Sequence, residues 1–109
     1  MPVRNLAAPE LAAWLADAQR AKPLLLDVRE PWEFQTCSIP EARLVPMREL
    51  PARVGELDPA RDTVVICHHG GRSLQAAAFL DRQGFASVHN LAGGVDAWAR
   101  SVDPAMPVY

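Results

Sequence analysis

Val64-Val65-Ile66-Cys67-His68-His69-Gly70-Gly71-Arg72-Ser73 runs from a short β-branched stretch, through a glycine-bearing loop, into a segment rich in helix formers. Three consecutive apolar residues without alternation read as a strand covered on both faces, as in a parallel sheet. The segment that follows, residues 73–83, carries Leu74, Ala76, Ala77, Ala78, Phe79 and Leu80 around most of its circumference, with Gly84 as a C-terminal stop. Such a helix is expected to pack well against the sheet, leaving only Gln75 and Arg82 on a narrow wet face.

The same grammar recurs on either side. Leu24-Leu25-Leu26 follows a breaker, Pro23, and runs into Asp27; Ser87-Val88-His89-Asn90-Leu91 runs into Gly93-Gly94. Pro9 suits the first turn of a helix, where its missing N–H has no intrahelical partner to lose. Leu11, Trp14, Leu15 and Ala18 then follow the spacing of a buried stripe. Residues 95–100 read as a last helix. Between residues 37 and 62 the chain is rich in Pro, Arg and Glu, and holds one expected short strand near Leu44-Val45 and a short helix over 47–54. Strands alternating with helices indicate an α/β layer fold. The 109 residues suffice for one domain, expected to span 1–109 with its core at about 9–100 and a tail at about 101–109.

In parallel α/β sheets ligands bind beyond the carboxyl ends of the strands. Asp27 and Cys67 both stand there. Gly70 and Gly71 let the backbone curl so that successive N–H groups turn toward one point. The following helix adds the positive end of its dipole. A helix N-terminus and a nearby cation favour the thiolate form of a cysteine. Arg72 supplies a permanent cation able to hold the oxygens of an anionic donor. The loop around Cys67 therefore reads as a cradle for an anion centred on sulfur, one that would also stabilise a terminal persulfide anion, Cys-S-S⁻.

Half of the residues are hydrophobic and the net charge is -2. This argues for a packed core and against nucleic acid or an anionic membrane as partner. The N-terminal stretch lacks a signal-peptide apolar core, and no apolar run could cross a bilayer. Two cysteines make a poor disulfide framework. A cytoplasmic protein is expected.

Cys67-x-x-Gly70-x-Arg72-Ser73 resembles the active-site loop of rhodanese-type sulfurtransferases. Leu26-Asp27-Val28-Arg29-Glu30-Pro31-Trp32-Glu33-Phe34 resembles the family's first motif, and Ile39-Pro40-x-Ala42 its continuation. Gly84-Phe85 and Leu91-x-Gly93-Gly94-x-x-Ala97-Trp98 resemble its closing segment. The likeness spans residues 9–100. It implies a single rhodanese domain with a central parallel five-stranded sheet flanked by helices on both faces. It also implies that Cys67 takes sulfane sulfur from a small anionic donor such as thiosulfate, or from a persulfide, and passes it to a thiol or to cyanide. By position, His68, His69, Gly70, Gly71, Arg72 and Ser73 form the substrate pocket. The family usually reads Gly-His-Ile-Pro-Gly-Ala where this chain has Cys37-Ser38-Ile39-Pro40-Glu41-Ala42.

Other readings compete. Cys37 is a candidate resolving thiol, with nothing in the sequence to bring it near Cys67. Adjacent histidines do not readily share one tetrahedral ion, and no Cys-x-x-Cys or His-x-x-x-His partner exists, so no metal and no cofactor are expected. His68 and His69 line the pocket or meet solvent, while His89 is structural. Asp27 and Arg29, next-but-one neighbours, are read first as an ion pair and second as support for the loop. Glu33 is expected to be a solvated or capping carboxylate, and Trp14, Trp32 and Trp98 to be core residues. Cysteine phosphatases need five residues between Cys and Arg; here there are four. A binding module without turnover, or a relay working only with a dedicated protein thiol or persulfide, is the remaining alternative.

Overall fold

The computed structural model describes residues 3–109; Met1 and Pro2, the first residues of the expected domain, lie outside the described residues. In chain order the elements are β1 (Arg4–Leu6), α1 (Ala8–Ala16), β2 (Leu24–Asp27), α2 (Pro31–Thr36), β3 (Arg43–Leu44), α3 (Leu50–Arg53), β4 (Thr63–Ile66), α4 (Gly71–Arg82), β5 (Val88–Leu91) and α5 (Gly94–Ser101). Single 3₁₀ turns, Met47–Glu49 and Val54–Glu56, flank α3, so the helix expected over 47–54 is a mixed, tightly wound segment. The strands form one sheet in the order β1-β5-β4-β2-β3, every pair parallel.

Both faces of the sheet are covered, which is why its strands are continuous apolar runs. Along β4 the side chains alternate between two cores: Val64 and Ile66 join Leu11, Trp14, Leu25, Val95 and Trp98, whereas Val65 and Cys67 join Leu26, Val28, Ala76, Ala77 and Leu80. The first core lies under α1 and α5, the second under α4.

Several expectations need adjustment. β1 has no apolar run; it is an edge strand whose backbone pairs with β5 alone. Helix α1 stops at Ala16, before Ala18, where the Asp17 N–H bonds to Trp14 O and the Trp14 indole N–H donates to Ala21 O (3.0 Å). On α4, Leu74 is 46% exposed, so its wet face is wider than Gln75 and Arg82. Trp14 and Trp98 are core residues, but Trp32 is 61% exposed because it sits at the first turn of α2, outside both cores. His89 is buried edge-on against Trp14 (5.3 Å between centroids).

Candidate active site

Chain connections leave β4 toward β5 and leave β2 toward β3, so the order reverses between β2 and β4. Ligand crevices in open α/β sheets form at such a switch point, beyond the carboxyl ends of the strands. Cys67 follows β4 there, and Asp27 closes β2, paired in register with Ile66.

Cys67 is 1% exposed. The Gly70 N–H donates to its Sγ at 3.0 Å. Gly70 is also the N-cap of α4 and sits at φ 106°, where a side chain would be strained. The sulfur is thus held at the start of a helix of 12 residues, by a backbone donor. From below, α5 fixes the other side of the loop: the Val95 N–H donates to Cys67 O (2.9 Å) and the Asp96 N–H to His68 O (3.1 Å). This approach requires Gly94, since a Cβ there would stand 2.3 Å from Cys67 O.

Ser73 reaches neither solvent nor an open pocket. It is fully buried and its hydroxyl donates to Asn90 Oδ1 (2.5 Å). Asn90 Nδ2 in turn donates to Gly70 O (3.3 Å) and to Asn5 Oδ1 (3.1 Å). Asn90, unmarked in the sequence, therefore ties the second half of the loop to β5 and β1. The Ser73 side chain, expected in the substrate pocket, is thus turned into the interior and engaged by Asn90.

Arg72 is also committed. Its NH1 and NH2 groups donate to Glu33 Oε1 (2.7 Å) and Oε2 (2.8 Å), a two-pronged pair in which Glu33 is 5% exposed and Arg72 40%. Glu33 does cap α2, accepting the Glu30 N–H at 3.0 Å, but it is not solvated. The Arg72 guanidinium holds the Glu33 carboxyl down to about 2, against the opposing effect of burial.

Asp27 and Arg29 form a fully buried ion pair, with Arg29 Nε on Oδ1 (2.9 Å) and NH2 on Oδ2 (2.8 Å). The same guanidinium donates to Cys37 O (2.6 Å) and Glu33 O (3.3 Å), holding the end of α2. Tyr109 is a further residue that no pattern pointed to. Its ring stacks on His68 (3.9 Å, 7° between planes) and meets Trp32 edge-on (5.7 Å). Its hydroxyl accepts from Arg29 NH1 and donates to Glu33 Oε2, both at 2.8 Å. Burial raises the Tyr109 hydroxyl to about 12, so it stays a donor.

His68 is half-buried and His69 exposed, their rings 3.8 Å apart. Burial first, and the neighbouring His69 second, lower the His68 pKa and favour its neutral form. Cys37 is buried in the core on the other face of the sheet from Cys67, and both are free thiols. A cleft of about 500 Å³ opens at the amino ends of the strands, lined by Leu15, Pro23, Leu24, Pro40 and Trp98, among others. It shares no residue with the loop.

The family model for the rhodanese-like domain matches residues 8–101. The chain belongs to the rhodanese-like family. A sulfurtransferase of Allochromatium vinosum is 42% identical over 98 residues, covering 90% of each chain. The Rhodanese-like/PpiC domain-containing protein 12, chloroplastic, of Arabidopsis thaliana is 39% identical over 113 residues and matches 99% of this chain; this chain spans 38% of that relative's length. Among solved structures, a rhodanese-related protein from Thermoplasma volcanium superposes with a TM-score of 0.80 at 31% identity, covering 91% of this chain and 93% of that one. The rhodanese-like domain protein from Staphylococcus aureus gives 0.83 at 24% identity, over 98% and 99% of the two chains, a likeness of fold. The five-stranded parallel sheet clad by helices is thus the rhodanese-like fold. Among the described residues no helix is long and apolar enough to cross a membrane.

Proposed function

We propose that this rhodanese-like chain is a sulfurtransferase whose carrier is Cys67. The observation that supports it best is the Gly70 N–H on Cys67 Sγ at the N-terminus of α4, a donor placed where negative charge on sulfur would develop. Relatives named as sulfurtransferases point the same way.

The Cys67 thiolate attacks the outer sulfur of a donor such as thiosulfate. The donor's S–S bond breaks and sulfite leaves with its electron pair, giving Cys67-S-S⁻. An acceptor thiolate or cyanide then attacks the terminal sulfur and returns the Cys67 thiolate. No external oxidant or reductant is needed. The loop amides, with Gly70 and Gly71 giving the curl, hold the persulfide anion. Arg72 retains donors beyond the two that Glu33 takes and offers them, on its exposed side, to the donor's oxygens. Asp27 and Arg29 support the loop from β2. A protein persulfide or thiol is an equally fitting partner for the same sulfur, and a reducing cytoplasm suits the two free thiols. A phosphatase reading finds less support, because four residues and not five separate Cys67 from Arg72.

Incubation of the full chain with thiosulfate, followed by intact mass measurement, is expected to show one added sulfur that cyanide removes. Absence of the adduct, or its persistence in Cys67→Ser, would overturn the assignment of Cys67 as carrier. A protein that binds thiols but never gains sulfur from any persulfide donor would be a binding module.

A further inference from the structure

Adjacent histidines do not readily share one tetrahedral ion, and the sequence offers His68 and His69 no Cys-x-x-Cys or His-x-x-x-His partner. Folding supplies a third donor. The first turn of α5 docks on the loop through Val95 N–H to Cys67 O and Asp96 N–H to His68 O, which Gly94 alone permits. This brings the Asp96 carboxylate beside both imidazoles, and one donor atom from each of His68, His69 and Asp96 lies within 4.8 Å of the other two.

We propose that His68, His69 and Asp96 form a site for a borderline divalent cation of the Zn²⁺ class, with Nε2 as the ligand atom of His68. Two imidazoles and one carboxylate are a donor set that such ions accept, with a fourth position left for water. His68 already has the environment of a ligand. Its ring is stacked on that of Tyr109 at 3.9 Å, a contact that holds the imidazole in one orientation. Its Nε2 is buried without a hydrogen-bond partner, and is the one such side-chain atom among the described residues. A cation would satisfy it. Tetrahedral ligands at about 2.0–2.1 Å from zinc sit closer together than the 4.8 Å within which these three donors lie. The remaining closure falls to His69, which is exposed, and to Asp96, which is only partly buried. Arg100 occupies Oδ2 of Asp96 at 3.0 Å, and its guanidinium is mostly in solvent, free to yield. Bound there, the ion would fix the two residues next to the sulfur. The site stands independently of the sulfur-transfer reading.

The test is titration of the reduced, metal-free full chain with Co²⁺, followed by the visible d–d bands of a tetrahedral complex and by competition with Zn²⁺. One saturable site per chain is expected. His69→Ala and Asp96→Asn should each weaken it at least ~10-fold. Cys67→Ser should leave it intact and show no loss of visible intensity, and His89→Ala should behave as the unmodified chain. The proposal is overturned by an absence of saturable binding, by affinity unchanged in both His69→Ala and Asp96→Asn, or by loss of the site in Cys67→Ser, which would place the ion on the thiolate instead.

Discussion

Arg72 grips Glu33 with two parallel hydrogen bonds of 2.7 and 2.8 Å, joining the end of the sulfur-bearing loop to a helix 39 residues earlier in the chain. The cation that would meet an anionic substrate is thereby held in one orientation by a buried carboxylate. The pair has a definite pH signature. The Glu33 carboxyl falls from an ordinary 4.5 to about 2, chiefly through Arg72. A depressed carboxyl contributes stability above its unfolded pKa and loses it as pH falls through the folded one. The chain should therefore lose on the order of 2 kcal/mol between pH 4.5 and 2 from this group, a figure reduced for the solvent around Arg72. Urea unfolding at stepped pH should show that loss in the unmodified chain and a flatter profile in Glu33→Gln.

Tyr109 contributes to the same carboxyl through its hydroxyl. Tyr109→Phe keeps the ring on His68 but removes the donor to Glu33 and the acceptor for Arg29. The Glu33 pKa should rise, as read by NMR titration of its carboxyl carbon. Stability should fall by about 1 kcal/mol.

Asn90 joins Ser73, Gly70 and Asn5. Asn90→Ala leaves the buried Ser73 hydroxyl without its acceptor, and should cost about 1–3 kcal/mol. Loosening the loop between Gly70 and Ser73 should also lower the second-order rate of sulfur loading at Cys67 by about 10-fold, measured by quenched intact mass.

Gly94 stands where any Cβ would meet Cys67 O at 2.3 Å and His68 O at 2.4 Å, with φ at 59°. Gly94→Ala should destabilise the fold by about 3 kcal/mol, since either the loop or the first turn of α5 must move. Gly55→Ala, with nothing within 4 Å, is the matched control in the same denaturation series.

Arg29→Met strands the Asp27 carboxylate in a site with no solvent access. A loss of about 3–5 kcal/mol is expected by thermal or urea unfolding. The double change Asp27→Leu with Arg29→Met should recover much of it, because the unpaired charge, rather than the missing pair, carries most of the cost.

Local sequence was enough for the strands β2, β4 and β5, for α1, α4 and α5, and for the loop that bears Cys67. Each is announced by neighbours: an apolar run, a breaker, a pair of glycines, an arginine at fixed spacing. Periodicity and turn chemistry act over a few residues, so they are written in consecutive letters. β1 escaped because an edge strand buries little, and its pairing with β5 is a backbone matter.

What Arg72, Ser73, His68 and Glu33 touch was decided only by the tertiary structure. Glu33 could be read as a cap because its contact to Glu30 is three residues away; its contacts to Arg72 and Tyr109 span 39 and 76. Asn90 and Asp96 carry no local mark at all, and become neighbours of the loop because β5 lies beside β4 and α5 docks under it. Cys67, the proposed carrier, belongs to one short segment. Its surroundings come from several others, converging where the sheet reverses its order, and side-chain partners that meet only through such packing leave no pattern along the chain.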